Sequence, residues 1–399
     1  MKKLLLLGGS RFLLPVIKAA KKLGYHTITC DYLPNNIAHK YSDEYSNVSI
    51  TDKKAVLETA RKLRVDGIMS FACDPGVVTA AYVAEQMGLP HCGSYEAVSI
   101  LQNKWEFRRF LRENGFRVPM AKGYHKMEDA LKDVDLFPWP VIVKPVDSAG
   151  SKGVVRVDSM AELRKGIEYA LAYSHCKEFI IEQFLPRKGH SSDSDSFSID
   201  GELVFTSFSS QRFDDEAANP YTPAAFSWPA SISDGNQGEL TGEIQRLLRL
   251  LNMRTSIYNI ETRECLDGNA YIMECSPRGG GNRLAEMLRY MTGVDLIENA
   301  VRAAVGDALI PIRQNPPCGF WAEIILHRRR RGIFGSLWTS DAIAGNIVEQ
   351  DLWVKQGDMV EGFRGANEAI GTLVLRFDSQ ERMEEVLAKQ DQHVKVGIV

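Results

Sequence analysis

The sequence predicts a mixed α/β chain of three parts, and three observations carry that prediction. Strands and helices alternate over residues 1–96, the signature of a parallel sheet with helices on both faces. Antiparallel strand runs mixed with helices follow over 97–310, as in an α+β domain. Pro311, Pro316 and Pro317 then mark a break before a small, mostly β piece over 311–399 that ends in one helix.

Each element has its own local reason. Residues 2–7 are an apolar run that reads as a buried strand, closed by Gly8-Gly9-Ser10. A helix runs to Leu23-Gly24, and the strand over 26–30 is stopped by Asp31 and the Pro34-Asn35-Asn36 turn. Helix 53–63, strand 67–71 and helix 77–87 complete the first part before Gly88-Leu89-Pro90. In the second part, helix 105–112 is closed by Asn114-Gly115 and Pro119, and 141–146 is an apolar strand interrupted by one lysine. Strand 154–157, helix 161–172 and strands 179–182, 196–199 and 203–207 follow, with Asp200-Gly201 as a hairpin turn between the last two. Helix 239–251, strands 257–261 and 270–274, and helices 284–290 and 296–305 finish it, and 379–388 is the closing helix of the chain.

Composition excludes several functions. Forty-eight basic residues against fifty-one acidic ones leave a net charge of −3, with no electrostatic footprint for nucleic acid or anionic membrane. No apolar run approaches the roughly 20 residues that span a bilayer, and Leu4 to Leu7 is too short for the apolar core of a signal peptide. Seven cysteines without CxxC spacing give neither a disulfide framework nor a zinc site. A cytoplasmic protein is expected.

Four segments carry chemistry. If Asp267-Gly268 is a two-residue hairpin turn, residues pair when their numbers sum to 535, which sets Glu261 opposite Glu274. Like charges directly opposite are destabilising, and a divalent cation held by both would offset the repulsion; the other reading is a solvent-exposed pair one residue out of register. Lys144 lies inside the apolar strand Pro140-Val-Ile-Val-Lys-Pro, where a lysine is costly unless it reaches an anion or an edge. The Ser148-Ala-Gly150-Ser151-Lys-Gly153 loop after it is either an ordinary glycine hairpin or small enough for backbone N–H groups to approach phosphate. It lacks the GxxxxGK[ST] pattern, and a strand rather than a helix follows it. Phe179-Ile-Ile-Glu182-Gln183-Phe184-Leu185 is an apolar strand ending in a carboxylate, either an acceptor for an adenine edge or an ordinary strand end of a kind many proteins have. Arg278, followed by Gly279-Gly280-Gly281, can hold the oxygens of a transferring phosphoryl group.

In this order, the segments resemble the ATP-grasp family of carboxylate–amine or carboxylate–thiol ligases, over roughly residues 1–310. The resemblance implies a Rossmann-like first domain and two α+β subdomains that clamp ATP between them. Lys104, in Gln-Asn-Lys-Trp-Glu-Phe, matches the family's first nucleotide lysine and Lys144 the second. Ser148, Gly150, Ser151 and Gly153 match the mobile loop over the phosphates, and Glu182, Gln183, Phe184 and Leu185 the adenine-reading hinge. Glu261 and Glu274 match the two magnesium carboxylates, and Arg278 matches the arginine of the E-x-N-x-R signature. That signature here reads Glu-Cys-Ser-Pro-Arg, so Ser276 stands where the family usually places a metal-binding asparagine. Thr292-Gly293-Val294-Asp295-Leu296 also looks like the segment that usually follows.

The resemblance implies ATP and magnesium as cofactors, with manganese able to substitute, and a small carboxylate and an amine as substrates. The carboxylate would become an acyl phosphate, and an amine, an amino acid in the nearest flavour, would displace phosphate. A homodimer is compatible with it. A carboxylase or purine-pathway enzyme of the family shares these motifs, and a nucleotide-binding protein without turnover is the reading from another class. Gly8-Gly9-Ser10 lacks GxGxxG, so no dinucleotide is expected there. Asp193 and Asp195 would share one strand face, either at a solvent edge or behind the ATP ribose. The polar, aromatic 213–228 stretch reads as a substrate-covering loop or an irregular surface loop, with Arg212 a candidate for an acceptor carboxylate. The run Arg328 to Arg331 reads as a solvated turn or a phosphate contact.

Overall fold

Four consecutive leucines, Leu4 to Leu7, are fully buried because they form the central strand of a parallel sheet covered on both faces. The computed structural model describes residues 1–398. Strand β1 (Lys3–Leu7), helix α1 (Leu14–Lys22), β2 (His26–Cys30), β3 (Glu44–Ser46), α2 (Lys53–Leu63) and β4 (Gly67–Ser70) give sheet order β3-β2-β1-β4. Helix α3 (Asp74–Met87) starts three residues before the periodic run, because Pro75 suits the first turn of a helix. Helix α4 (Tyr95–Gln102), unread in the sequence, is capped by the Ser94 hydroxyl. Asn103 caps α5 (Lys104–Glu113) in the same way.

Two antiparallel sheets follow. The first has order β5-β8-β6-β7, from β5 (Ala121–Tyr124), β6 (Val141–Pro145), β7 (Val155–Val157) and β8 (Phe179–Gln183). Helices α6 (Met127–Lys132) and α7 (Met160–Tyr173) join its strands. The second has order β10-β9-β13-β14, from β9 (Ser192–Ile199), β10 (Glu202–Phe205), β13 (Ser256–Glu264) and β14 (Ala270–Ser276). Asp200 and Gly201, at φ +50° and +85°, form the expected two-residue turn between β9 and β10. Helix α8 (Asp234–Leu250) packs on β14 and β10.

The 213–228 stretch is not an irregular loop throughout. It contributes β11 (Ser210–Phe213) and β12 (Pro223–Trp228), and Trp228 is buried. After α9 (Leu284–Thr292) and α10 (Leu296–Ala304), the chain forms β15 (Phe320–Leu326), β16 (Gly332–Thr339) and α11 (Asp341–Ala344). Next come β17 (Ile347–Leu352), β18 (Met359–Val360) and β19 (Gly371–Phe377). One sheet has order β11-β12-β15-β19-β17, so strands on both sides of the boundary expected at 310/311 share a ladder. Helix α12 (Gln380–Ala388) does not close the chain: α13 (Gln390–His393) and β20 (Val394–Ile398) follow, and β20 pairs with β16. Leu4, Phe197, Trp228, Leu284 and Trp321 belong to one apolar core, so all three parts of the chain pack on each other.

Candidate functional site

The two expected lysines converge on carboxylates between the two antiparallel sheets. Lys144 in β6 pairs with Glu182 of the adjacent β8, and Arg108 Nε from α5 meets the same carboxylate at 2.9 Å. The three side chains are almost sealed, at 8%, 3% and 2% exposure. Burial alone would raise the Glu182 carboxyl, but the Arg108 and Lys144 cations outweigh it and hold it at about 2. Burial is also the main force on Lys144 and lowers its pKa against the pull of Glu182.

Lys104 opens α5, with its ammonium 3.1 Å from Glu274 Oε1 and 2.9 Å from the Ser148 carbonyl. Burial disfavours its charge, yet Glu274 more than compensates and the pKa rises. Lys104 therefore ties the start of the glycine-rich loop to the carboxylate pair. Within that loop Gly150, Ser151 and Gly153 take φ of +65°, +58° and +74°, a left-handed turn suited to glycine. The Ser151 hydroxyl donates to the Tyr221 carbonyl at 2.9 Å. At the hinge, Gln183 N–H donates to Met120 O at 2.8 Å and Phe184 N–H to Pro140 O at 3.1 Å, while Arg156 lies 4.5 Å over the Phe184 ring. Leu185 is buried. Both Glu182 carboxyl oxygens meet cations, Oε1 that of Lys144 and Oε2 that of Arg108.

Glu261 and Glu274 face each other across β13 and β14, but not by way of the expected turn. The loop has three residues, Leu266, Asp267 and Gly268, with Cys265 N–H bonded to Asn269 O at 2.9 Å and Gly268 at φ +82°. Pairs near it sum to 534, and a bulge at Met273 restores 535 at the two glutamates. Burial and the neighbouring Glu274 push the Glu261 carboxyl up, while Lys104 and Lys144 hold Glu274 down against its burial. Arg263 Nη2 lies 3.6 Å from Glu261 Oε1. Two opposed carboxylates, one of them with its charge penalised by the other, are a donor set that fits magnesium completed by phosphate oxygens and water. No third His, Cys, Asp or Glu joins them as a metal cluster among the described residues.

The Ser276 hydroxyl donates to Asp74 Oδ1 at 3.0 Å and accepts from Gln102 Nε2 at 2.8 Å, which leaves one of its two lone pairs unused. Arg278 grips the same Asp74 through Nε (2.9 Å) and Nη2 (2.7 Å), and donates from Nη1 to Asn259 Oδ1 at 2.9 Å. Burial disfavours ionised Asp74, but Arg278 outweighs it and its pKa falls. β9 lies between β10 and β13 rather than at a sheet edge, and of its two aspartates Asp195 is fully buried while Asp193 is half-buried. Asn259 Nδ2 donates to Asp193 at 2.6 Å, and Gly280 N–H to Asp195 at 2.8 Å. Arg212 is committed to Glu384 at 2.7 Å and to His190, so it is not free for a substrate. In the four-arginine run, Arg329 pairs with Asp214, Glu216 and Asp391 and Arg331 with Glu361, so these two cations serve ion pairs.

Arg108, Asp74, Gln102 and Asn259 escaped sequence reading. Arg108 alone left a signal, since it follows Lys104 by four residues and shares its helix face. The other three reach the site only through folding of α3, α4 and β13 against β14.

Residues 137–286 match the family model of the ATP-grasp domain. The carbamoyl phosphate synthase large chain of Clostridium beijerinckii is 23% identical over 296 residues, covering 73% of this chain and 27% of that one. The chain thus spans about a quarter of the length of that relative. A formate-dependent phosphoribosylglycinamide formyltransferase of Synechococcus is 29% identical over 186 residues, 46% of this chain and 48% of that one. Among solved structures, the L-amino acid ligase of Bacillus licheniformis superposes with TM-score 0.82 at 19% identity, covering 100% of this chain and 99% of that one. The biotin carboxylase domain of a Hydrogenobacter thermophilus 2-oxoglutarate carboxylase, in complex with magnesium ADP and bicarbonate, gives 0.73 at 15% identity over 99% and 90%. A parallel sheet followed by antiparallel ones, with facing lysines and carboxylates between them, is the fold this chain shares with those solved structures. Over residues 137–286, then, the chain carries a segment that matches the ATP-grasp domain. Among the described residues, no helix is long and apolar enough to cross a membrane.

Proposed function

We propose that the chain is an ADP-forming carboxylate–amine ligase whose amine is an amino acid. The observation that carries this is the convergence of Lys104, Lys144, Glu261 and Glu274 on one cleft beside Arg278. ATP would lie between the two antiparallel sheets, with the base at the 183–185 hinge and the phosphates under the 148–153 loop. Glu261 and Glu274 would hold magnesium, which neutralises phosphate charge when bound.

The substrate carboxylate attacks the γ-phosphorus and ADP leaves, giving an acyl phosphate. The amine nitrogen then attacks the acyl carbon, phosphate leaves, and the nitrogen loses a proton. Phosphoryl transfer asks mainly for positioning and electrostatic stabilisation, and this chain's part is cationic. Lys104 and Lys144 meet phosphate oxygens, and Arg278, aimed by Asp74 and Asn259, meets the charge that develops on the acyl group. The fold resemblance to the L-amino acid ligase favours this over the carboxylase and purine-pathway readings. ADP release from Mg-ATP with single and paired amino acids tests it. Release that requires a specific amino-acid pair is expected; release driven by bicarbonate alone, or none with any acid, overturns it.

A further inference from the structure

One group of buried charge lies outside the cleft. Glu323 sits in the middle of β15, between Phe226 of β12 and Val374 of β19. It is fully buried, and neither carboxyl oxygen has a hydrogen-bond partner. Trp321, two residues earlier on the same strand face, stacks on Tyr290 of α9 with ring centroids 5.5 Å apart, so Glu323 is aimed at α9. There it lies beside Arg283, Glu286 and, from the edge strand β17, Glu349.

Arg283 does not serve Glu323. Its guanidinium contacts Glu349 at 2.9 Å, Glu286 at 3.3 Å and the Thr372 hydroxyl at 3.1 Å. Glu349 also accepts from the Tyr290 hydroxyl. Three carboxyl groups surround one guanidinium, and the most deeply buried of them is the one left unmet. Burial pushes the Glu323 carboxyl well above its usual range, with Glu286 and Glu349 adding to that and Arg283 opposing it. A buried acid in that state costs stability unless a donor reaches it.

The cluster leads outward, and it also leads back to the cleft. Glu349 is 34% exposed, and on its strand Asp351 accepts from Trp353 Nε1 at 2.8 Å. The Trp353 ring meets Phe12 edge-on at 6.1 Å and carries the Arg11 guanidinium at 5.1 Å, so this exposed side of the cluster lies where the first domain touches the last. Towards the cleft, Gly279-Gly280-Gly281-Asn282 connects Arg278 to Arg283, and of these four residues only Asn282 carries a side chain. Gly281 faces Ala72 and Phe12, with about 3.9 Å to each from a Cβ placed there.

We propose that Glu323, flanked by Glu286 and Glu349, forms a subsite for the ammonium group of an amino acid that serves as the carboxylate substrate. The proposal rests on the ligase reading for the ligand's identity as a substrate. Its chemistry is local: an ammonium carries three N–H donors and one positive charge, which match an unmet carboxyl and an excess of acid over base.

The test needs no turnover. The melting temperature of the full chain is measured without ATP, in the presence of each of the twenty amino acids and of the corresponding acids that lack the amino group. At least one amino acid should raise it while its deaminated counterpart does not. Glu323→Leu should melt higher than wild type without ligand, since an unmet buried acid is gone, and should lose the amino-acid shift. Glu323→Gln, which keeps the shape, should lose the shift as well, and Glu349→Gln on the open edge should weaken it. The proposal is overturned if no amino acid shifts the wild type, if the deaminated acid shifts it equally, or if the shift survives Glu323→Gln. Failure of the ligase reading shows instead as absent ADP release, which this assay does not contain.

Discussion

Replacing Glu182 by Gln should be among the most damaging single changes to the proposed nucleotide cleft. The substitution keeps the shape but takes the contacting counter-ion from two buried cations, Arg108 and Lys144, leaving Lys144 only the more distant Glu274. Its cost can be worked from the carboxyl itself. In the native state the pKa is held at about 2 rather than 4.5. At about 1.4 kcal/mol for each tenfold change in proton affinity, that is about 3 kcal/mol. The same figure falls at the lower end of the roughly 3–5 kcal/mol lost when one partner of a buried ion pair is removed. Because the folded pKa is depressed, the stabilisation is complete above about 4.5 and disappears as pH falls towards about 2. Urea unfolding of wild type and Glu182→Gln should therefore differ by about 3 kcal/mol at pH 7 and converge as the solution is made acid. Adding Lys144→Met to Glu182→Gln should recover part of the loss, because one orphaned cation is gone. A Glu182→Gln protein as stable as wild type at pH 7, or a difference that does not shrink in acid, would refute the assignment of Glu182 as the shared counter-ion.

Three further outcomes follow from the same geometry. Lys144→Met should weaken ATP binding about tenfold or more by calorimetry, one charge-assisted contact being worth roughly 1.5–3 kcal/mol, while Arg108 still satisfies Glu182 and the fold persists. Glu261→Gln should abolish ADP release yet leave unfolding in metal-free buffer unchanged or shifted to higher urea, because the repulsion with Glu274 is relieved. Asp74→Asn should leave ATP affinity within about twofold and lower kcat by about tenfold or more, since Arg278 loses its two-pronged anchor; equal losses in affinity and kcat would contradict the positioning role.

The sequence was legible wherever local pattern and final position coincide. The strand over 26–30 and the helix over 53–63 fall where apolar periodicity and turn residues put them. Lys144 stood out because an ammonium inside an apolar strand needs an anion, and Glu182 supplies one. The pairing of Glu261 with Glu274 was reached through a two-residue turn that does not exist; the longer loop shifts the register by one and the Met273 bulge shifts it back. Bulges leave little mark in a sequence, so this agreement owes something to cancellation. Asp74 and Glu323 were illegible for another reason. Asp74 matters because α3 is laid against β14, some 200 residues away in the chain. Glu323 matters because its oxygens find no partner among the side chains folded around it. The β11 and β12 strands were obscured by their polar and proline-containing flanks, and β15, the outer partner of β12, lies about 100 residues downstream.

The central claim is that a substrate carboxylate is activated by direct attack on the γ-phosphorus. Oxygen-18 in the substrate carboxylate tests it most directly. With the amino-acid pair that drives ADP release, one carboxylate oxygen should appear in inorganic phosphate for every ADP formed, read by mass spectrometry of the released phosphate. Phosphate that carries no label while ADP and the amide accumulate would contradict an acyl phosphate, and with it the roles given to Lys104, Lys144, Glu261, Glu274 and Arg278.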